Sequence, residues 1–116
     1  MAHHDLLELQ RLARNAPRIF ILDTNKSLRI VESYFGVTNG EARAIIMEII
    51  TLLDPSCFAH SLTNKVPPAD VYGIYYRGSG WYVKVALDHG RPIVISCHPP
   101  EVPLTTSGGT VSATRR

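Results

Sequence analysis

The sequence predicts an α+β fold, with N-terminal helices packed on one face of a largely antiparallel sheet. Two observations carry this prediction. Helical spacing of apolar residues dominates the first half of the chain, whereas short β-branched and aromatic runs separated by turn residues dominate the second half. The length of 116 residues suits one domain with a single core.

Three segments in the first half have the spacing of amphipathic helices, and a compact apolar run lies between the first two. Pro17 ends the first helix, and Gly36 is a suitable residue to follow the second. Thr38 and Glu41 have capping-box spacing at the start of the third, whose wide apolar face makes it the expected central helix. The apolar run is expected to be a strand, although its brevity leaves a helix open. The helices are predicted at residues 6–16, 25–35 and 38–54, and the strand at 18–22.

The second half is predicted to form four strands, of which the last three make a meander joined by tight turns. After Glu101 the chain is small, polar and glycine-rich, so residues 102–116 are expected to be a mobile tail, with at most one edge strand near Leu104. Residues 1–101 then form the single folded domain. The strands are predicted at residues 57–62, 70–76, 81–87 and 91–97.

Composition points to an ordinary globular protein. No apolar run reaches the roughly 18 residues that span a bilayer, and the first residues lack the pattern of a signal peptide, so a cytoplasmic protein is expected. The net charge of +2 suits contact with phosphates but is weak support alone. Cys57 and Cys97 lack the spacing of a zinc site or a disulfide framework and are expected to be reduced core thiols. His3 and His4 are given no role.

Strand alternation predicts which side chains point away from the helices, on what we call the outer face of the sheet. Alternation does not decide where His60 points, because this polar residue would share a face with the apolar residues Phe58 and Leu62. In the last two strands the apolar residues expected to face the helices are Trp81, Val83, Val85, Leu87, Ile93, Ile95 and Cys97. The outer face should therefore carry Tyr82, Lys84, Ser96 and His98.

Histidines, a tyrosine and a basic residue on one surface are the groups needed to cleave RNA without a metal. One group takes the proton of the ribose 2′-OH, which attacks the adjacent phosphate. A second group protonates the leaving 5′-oxygen, and a cation stabilises the charge on the phosphorane. Histidine suits either proton-transfer role because its ordinary pKa of about 6.5 leaves both forms populated near neutral pH. His60 and His98 are thus candidates for the acid and the base.

Each candidate also has a purely structural interpretation. A strand-end histidine such as His98 is more often a surface or turn residue than a catalytic one. A lysine such as Lys84 is more often a solvated residue of a sheet than a phosphate ligand. A tyrosine such as Tyr76 is more often a core residue than a base-stacking one. His89 lies in a predicted turn. No H-x-x-x-H or H-E-x-x-H spacing occurs, so neither a metal site nor a cofactor is predicted. The "GSG" at residues 78–80 lacks the helix and lysine of a nucleotide-binding loop.

Several motifs, taken in order, resemble the MqsR family of toxins from bacterial toxin–antitoxin pairs. Members of that family are messenger-RNA interferases with a RelE-like, microbial-RNase-like α+β fold. The resemblance runs over residues 18–101, which is most of the chain. The motifs that carry it are "NKSLRIVESYFG", "GEARAIIMEIITLLDP", "CFAHSLT", "DVY", "GWYVKVAL" and "PIVISCHPPE".

The resemblance implies site residues at the matching positions. His60 in "FAHSLT" and His98 after "ISC" stand where the family has lysines, and Tyr82 matches its active-site tyrosine. Histidines in place of lysines weaken the permanent charge but supply a better base and acid. Ala69 stands where the family has a glutamine and can do no polar chemistry, which leaves substrate positioning in question.

The sequence and the resemblance together predict an endoribonuclease toxin that cleaves single-stranded RNA, such as messenger RNA, by 2′-OH attack. His60 and His98 are the predicted acid–base pair, in undetermined order, and Tyr82 binds the phosphate or assists proton transfer. The resemblance also implies a cognate antitoxin that covers the site in a hetero-oligomer. The predicted substrate-binding residues are Lys84 and Arg77, which supply positive charge, and Tyr76, which stacks on bases.

Two other functions stay open. The first is a non-catalytic module on the same fold that grips RNA or a protein, which Ala69 favours. The second is transfer of a group such as ADP-ribose to a target, although the sequence lacks the arrangement of arginine and glutamate typical of that chemistry.

Overall fold

The structure, a computed structural model, describes residues 2–15, 20–21, 24–64 and 66–113. The three predicted helices and four predicted strands are all confirmed. Of the predicted strand at 18–22, two residues are described and form a strand, and the rest lie outside the described residues. The helices are α1 (Leu6–Asn15), α2 (Thr24–Phe35) and α3 (Asn39–Leu52). The strands are β1 (Phe20–Ile21), β2 (Phe58–Leu62), β3 (Ala69–Tyr76), β4 (Ser79–Asp88), β5 (Arg91–His98), β6 (Leu104–Thr106) and β7 (Gly109–Val111).

The capping signals in the sequence act as predicted. The Thr38 side chain accepts a hydrogen bond from the Glu41 N–H, and the Glu41 carboxylate accepts one from the Thr38 N–H, which together close a capping box on α3. Gly36 follows α2 with φ of +65°, a conformation that costs a glycine nothing. Local sequence therefore sets the boundary between α2 and α3.

The main sheet has the order β1-β5-β4-β3-β2, in which β1 runs parallel to β5 and the other neighbours are antiparallel. The two meander turns place positive φ angles at Arg77–Gly78 and at His89–Gly90. Turns with positive φ at both central residues match the right-handed twist of the paired strands. Glycine adopts positive φ without strain, which explains why it occupies the second position of each turn. The meander places β4 between β5 and β3, and β2 forms the far edge of the sheet.

One face of the sheet shares a single core with all three helices. Trp81 lies at its centre, fully buried, with its ring stacked on Phe35 of α2 at a centroid distance of 5.6 Å. Isoleucines of α3 and alternate residues of β3 and β4 complete the core. None of the helices in the described ranges is long and apolar enough to cross a membrane.

The pairing of β4 with β5 contains one extra residue on β5. Lys84 lies opposite Ser96, whereas the next residue, Val85, lies opposite Val94. Ile95 is left without a partner on β4, which makes it a β-bulge. A bulge shifts the alternation of side chains along its strand by one position.

The bulge corrects the predicted orientation of β5. Val94 and Cys97 belong to the core shared with the helices. Ile93 lies opposite Ala86 and so points to the outer face, and Ile95 is half-buried at the bulge. The prediction that Ile93 and Ile95 face the helices is wrong, because strict alternation assumes a strand without an extra residue.

A second correction concerns the residues after Glu101. Where the sequence predicts a mobile tail with at most one edge strand, β6 and β7 pair with each other as a hairpin, which we call the C-terminal hairpin. It packs across β2 and β3. Its turn is held by two backbone hydrogen bonds of 2.8 Å, from the Ser107 N–H to the Phe58 carbonyl and from the Gly108 N–H to the Ser56 carbonyl. The strand expected near Leu104 therefore pairs with β7 rather than with the main sheet.

Two glycines of the outer face allow the hairpin to approach. A Cβ on Gly73 would lie 2.8 Å from a methyl carbon of Leu104, and a Cβ on Gly80 would lie 2.0 Å from the backbone oxygen of Ser112. The Gly80 N–H also donates to the Ala113 carbonyl. The hairpin thus covers one part of the outer face and leaves uncovered the part that carries Tyr82, Lys84 and His98, each of which is half-buried.

The residues before α1, which we call the N-terminal strap (residues 2–5), are fixed by a buried carboxylate. Asp70, only 1% exposed, accepts hydrogen bonds from the N–H groups of His3 at 2.8 Å and His4 at 2.7 Å, and from the Ser61 hydroxyl at 2.5 Å. The His4 ring donates to the Pro68 carbonyl at 2.7 Å. These bonds replace the water that the carboxylate loses on burial.

Replacing Asp70 with alanine should lower the free energy of unfolding by about 1–3 kcal/mol, because two part-buried N–H groups and a hydroxyl lose their acceptor. Urea denaturation of the full chain measures this. Asp88→Ala is the matched control, since the Asp88 carboxylate lies at the surface beside the exposed His89 side chain and its loss should change stability by less than about 0.5 kcal/mol. Equal stability of both variants would contradict a role for the strap.

Replacing Gly80 with alanine should destabilise the protein by about 1–3 kcal/mol, because the new methyl group meets backbone atoms of Ser112, directly after the hairpin, that cannot rotate away. Thermal unfolding measures the effect. Gly40→Ala is the control, because a Cβ at Gly40 in α3 meets nothing within 4 Å and alanine favours a helix. A Gly80→Ala protein as stable as the Gly40→Ala protein would mean that the hairpin does not press on the sheet.

Candidate active site

The uncovered part of the outer face carries its polar residues in two adjacent rows that follow the strand pairing. In one row His60 lies opposite Val71, Val71 opposite Lys84, and Lys84 opposite Ser96. In the next row Gly73 lies opposite Tyr82, and Tyr82 opposite His98. Paired residues of an antiparallel sheet share a face, so the polar side chains of both rows point away from the helices. The residues concerned are His60, Lys84, Tyr82, Ser96 and His98.

Tyr82 and His98 form the closest pair on this surface. Their rings are stacked, with centroids 4.8 Å apart and planes inclined by 14°. Partial burial raises the pKa of the Tyr82 hydroxyl above its usual value, so this group keeps its proton at any pH near neutrality. The C-terminal hairpin over Gly73 and the imidazole of His98 lie on either side of Tyr82.

The position of the proton on His98 follows from a hydrogen bond of its ring. Its Nδ1 lies 2.8 Å from the carbonyl oxygen of Pro99. A carbonyl oxygen can only accept, so Nδ1 carries the proton and, in the neutral ring, Nε2 carries the lone pair. Pro99 cannot continue the sheet ladder and its carbonyl turns back toward the ring instead. His98 is thereby oriented as a proton acceptor through Nε2.

Lys84 and Ser96 lie next to this pair. Lys84 is two residues along β4 from Tyr82 and therefore diagonal to His98, a relation that places backbones about 7–8 Å apart, within reach of a long side chain. The Lys84 side chain is half-buried and has no ion-pair partner among the described residues. A positive charge beside a stacked tyrosine and histidine is suited to an anion such as a phosphate.

His60 shares the outer face but is remote from His98. It lies on β2, three strands from β5, which corresponds to about 14 Å between backbones at the usual strand spacing. Lys84 lies in the row between them. The structure therefore brings together Tyr82, Lys84 and His98 but not His60.

The other two predicted residues lie on the opposite side of the sheet. Tyr76 is 5% exposed and donates a hydrogen bond to the Glu48 carboxylate of α3. The guanidinium of Arg77 lies over the rings of Phe35 and Tyr76 and 3.9 Å from Glu48. Neither side chain can reach a ligand held by His98, so we leave both out of the site.

Sequence reasoning missed the contribution of α2. Ser27 is 2% exposed, and its hydroxyl oxygen accepts a hydrogen bond of 3.1 Å from the Cys97 N–H, which ties α2 to the edge of β5. A cavity of about 370 Å³ opens between them beside His98. The spacing of residues 25–35 predicts a helix, but nothing in it indicates which strand the helix lies against.

Among the described residues, no group of three or more His, Cys, Asp or Glu side chains is placed to hold a metal ion. The two thiols are structural in character, since burial raises the pKa of Cys57, and raises that of Cys97 to about 12. Comparisons of the chain with models of known protein families, with curated proteins and with solved structures found no match. The resemblance to the MqsR family rests on the sequence motifs alone.

The neutral form of His98 should carry its proton on Nδ1, because that nitrogen donates to Pro99. Long-range ¹H–¹⁵N correlation spectra of the neutral imidazoles distinguish the two tautomers. His60 is the internal control, since it is exposed and no hydrogen bond joins it to the described chain, so it should show a mixture. A dominant Nε2–H form of His98 would contradict the assigned orientation.

Proposed function

We propose that this protein is a metal-independent endoribonuclease that cleaves single-stranded RNA, and that it acts as the toxin of a toxin–antitoxin pair. One observation carries the proposal: a histidine held with its Nε2 lone pair available is stacked on a tyrosine and lies diagonal to a lysine on an uncovered sheet surface. A base, a hydroxyl that keeps its proton and a cation are the parts needed for attack by a ribose 2′-OH on its own phosphate.

The steps assign one role to each of three residues. Nε2 of His98 takes the proton from the 2′-OH as that oxygen forms a bond to phosphorus. The bond from phosphorus to the 5′-oxygen breaks, and the leaving oxygen takes a proton from the Tyr82 hydroxyl. Lys84 neutralises the charge that builds on the non-bridging oxygens. The products are a 2′,3′-cyclic phosphate and a 5′-hydroxyl.

This assignment differs from the acid–base pair of histidines that the sequence predicted. Three strand spacings, or about 14 Å, and a further step along the strands separate the backbones of His60 and His98, which favours Tyr82 rather than His60 as the partner of His98. His60 then has a place farther along the same surface, where it can contact a neighbouring nucleotide of an extended strand. Single strands suit such a surface because their bases and phosphates are free to spread across it.

The biological part of the proposal rests on the resemblance to the MqsR family. It places the protein in the cytoplasm, where messenger RNA is available, and pairs it with a cognate antitoxin in a hetero-oligomer. An antitoxin that inhibits by covering the site would lie over Tyr82, Lys84 and His98.

A non-catalytic binding module on the same fold is the competing function. Ala69, buried at the start of β3 where the family has a glutamine, is the observation that favours it. A module of this kind would hold RNA with unchanged affinity after loss of His98 and would never cut it.

Purified protein incubated with single-stranded RNA in excess EDTA should yield fragments with cyclic phosphate and 5′-hydroxyl ends. His98→Ala should reduce the rate by roughly 10²–10⁴-fold, the usual contribution of general acid–base catalysis. His89→Ala removes an exposed turn histidine and is the matched control, expected to cut at the wild-type rate. His60→Ala should reduce the rate by less than about tenfold, as expected for a group that only binds.

Cleavage by His98→Ala at the wild-type rate would exclude His98 as the base. RNA left intact by the wild-type protein, both alone and on translating ribosomes, would exclude the nuclease. If the wild-type protein leaves RNA intact and the His98→Ala protein still binds RNA, the result would support the binding module.

A further inference from the structure

We infer that the cavity between α1 and the segment that follows α3 is a binding site for a small aromatic amine with a polar group on its ring. The cavity measures about 630 Å³, which lies within the roughly 300–1,000 Å³ of small-molecule sites. It lies on the helical side of the sheet, whereas Tyr82, Lys84 and His98 lie on the outer face. The inference therefore goes beyond the proposed nuclease and does not depend on it.

The cavity wall is largely apolar and contains two aromatic rings. Phe58 of β2 and Tyr72 of β3 contact each other edge to face, with ring centroids 5.7 Å apart. Leu6 of α1 and Leu53, which follows α3, add aliphatic surface. An aromatic ring of a ligand can pack against such a wall in offset or edge-to-face geometry, as aromatic side chains do in a core.

The Tyr72 hydroxyl is a polar group within this apolar wall. Tyr72 is 2% exposed, and no hydrogen bond joins its hydroxyl to another group of the described chain. The hydroxyl is not sealed from solvent as the indole nitrogen of Trp81 is, so it faces the cavity that Tyr72 lines. Burial, and after it the charge of Asp70, raises the pKa of Tyr72 to about 12. The hydroxyl thus keeps its proton and can exchange a hydrogen bond with a hydroxyl or N–H on the ring of a ligand.

Two exposed carboxylates at the mouth of the cavity are held in place by the backbone. Oδ1 of Asp5 accepts from the Leu7 N–H at 3.0 Å, and Oδ1 of Asp54 accepts from the Ser56 N–H at 2.8 Å. Oδ2 of each carboxylate makes no hydrogen bond within the described chain. The hydroxyl and the N–H of Ser56 hold the pKa of Asp54 below its usual value, so this group is charged near neutral pH.

The charge at the mouth selects a cation. None of the described residues that line the cavity is basic, so the carboxylates have no positive partner in its wall. An ammonium group can donate to the free Oδ2 atoms, and such charge-assisted bonds are stronger than neutral ones. An amine joined to an aromatic ring by a short chain places its charge at the mouth while its ring lies against Phe58 and Tyr72. A carboxylic acid of the same shape would be repelled.

The walls of the cavity are fixed before a ligand arrives. Gln10 of α1 is 5% exposed, and its side-chain amide donates to the carbonyls of Ile50 at 2.9 Å and Leu53 at 2.8 Å. These bonds tie α1 to the end of α3. The N-terminal strap, which also lines the cavity, is held by Asp70. A site whose walls are already in place loses little conformational entropy when it binds a small molecule.

Calorimetry of the full chain with three probes tests the inference. Tyramine has an amine and a ring hydroxyl, phenethylamine lacks the hydroxyl, and 4-ethylphenol lacks the amine. Tyramine should bind with a Kd below about 1 mM, and at least about threefold more tightly than either of the other two probes. Amide shifts in ¹H–¹⁵N spectra should change along α1 and around Phe58, and not around Tyr82 and His98.

Three variants separate the contributions of the two polar ends. Tyr72→Phe removes a hydroxyl that has no partner, so the protein should keep its stability, and tyramine should then bind no better than phenethylamine. Asp5→Asn combined with Asp54→Asn keeps both capping acceptors, and tyramine should then bind no better than 4-ethylphenol. Glu101→Gln removes an exposed carboxylate that lines a different cavity and is the matched control, expected to change neither preference.

A Kd of tyramine above about 1 mM, or equal affinity for tyramine and 4-ethylphenol in the wild-type protein, would overturn the inference. So would a preference for tyramine over phenethylamine that persists in Tyr72→Phe, or shift changes centred on Tyr82 and His98. Failure of tyramine to bind a chain that sediments as a dimer would identify a second copy as the occupant and would also overturn it. None of these readouts uses RNA, so this site and the nuclease stand or fall separately.

Discussion

The extra residue at Ile95 is the constraint on which the outer face depends. It allows Val94 and Cys97 to enter the core, while Ser96 and His98 point outward. In a strand of regular alternation, residues 94, 96 and 98 would share one face, and either the core would lose Val94 or the outer face would lose its histidine. Bulges are common beside functional sites because they change the direction of a side chain without breaking the sheet.

Most of the fold could be predicted because its signals are local. The apolar stripes, the capping box at Thr38 and Glu41, and the glycine-containing turns each fix a helix end or a reversal within a few residues. The two errors have non-local causes. The bulge depends on how β5 meets β4, and the C-terminal hairpin depends on Gly73, a residue far from it in the sequence. Neither contact can be derived from the spacing of nearby residues.

Of the site, the sequence could predict only which side chains share a face of the sheet, because that follows from strand alternation. The alternation of side chains along β4 and β5 predicts that Tyr82, Lys84 and His98 lie on the outer face. The bulge does not change this prediction, because it lies before Ser96 and leaves the alternation of residues 96–98 regular. The distance between His60 and His98 depends on the order of strands in the sheet, which a sequence does not display. Tyr76 could have been excluded from its parity with Tyr72, since both face the helices.

The contribution of α2 is the part that no local signal could supply. Ser27 is an ordinary polar residue in the sequence, and only the packing of α2 along β5 makes it a partner for the Cys97 N–H. The same packing creates the cavity beside His98. A helix can therefore determine the chemistry of a sheet surface from its edge, without presenting a reactive group of its own.

The bonds from the N-terminal strap to Asp70 join residues 66 and 67 positions apart. α1, with ten residues, is short for a helix that must hold its shape alone in water. It packs on α3 and β5, and its strap binds the start of β3. During synthesis on the ribosome, α1 therefore cannot complete its contacts until β5 has left the exit tunnel.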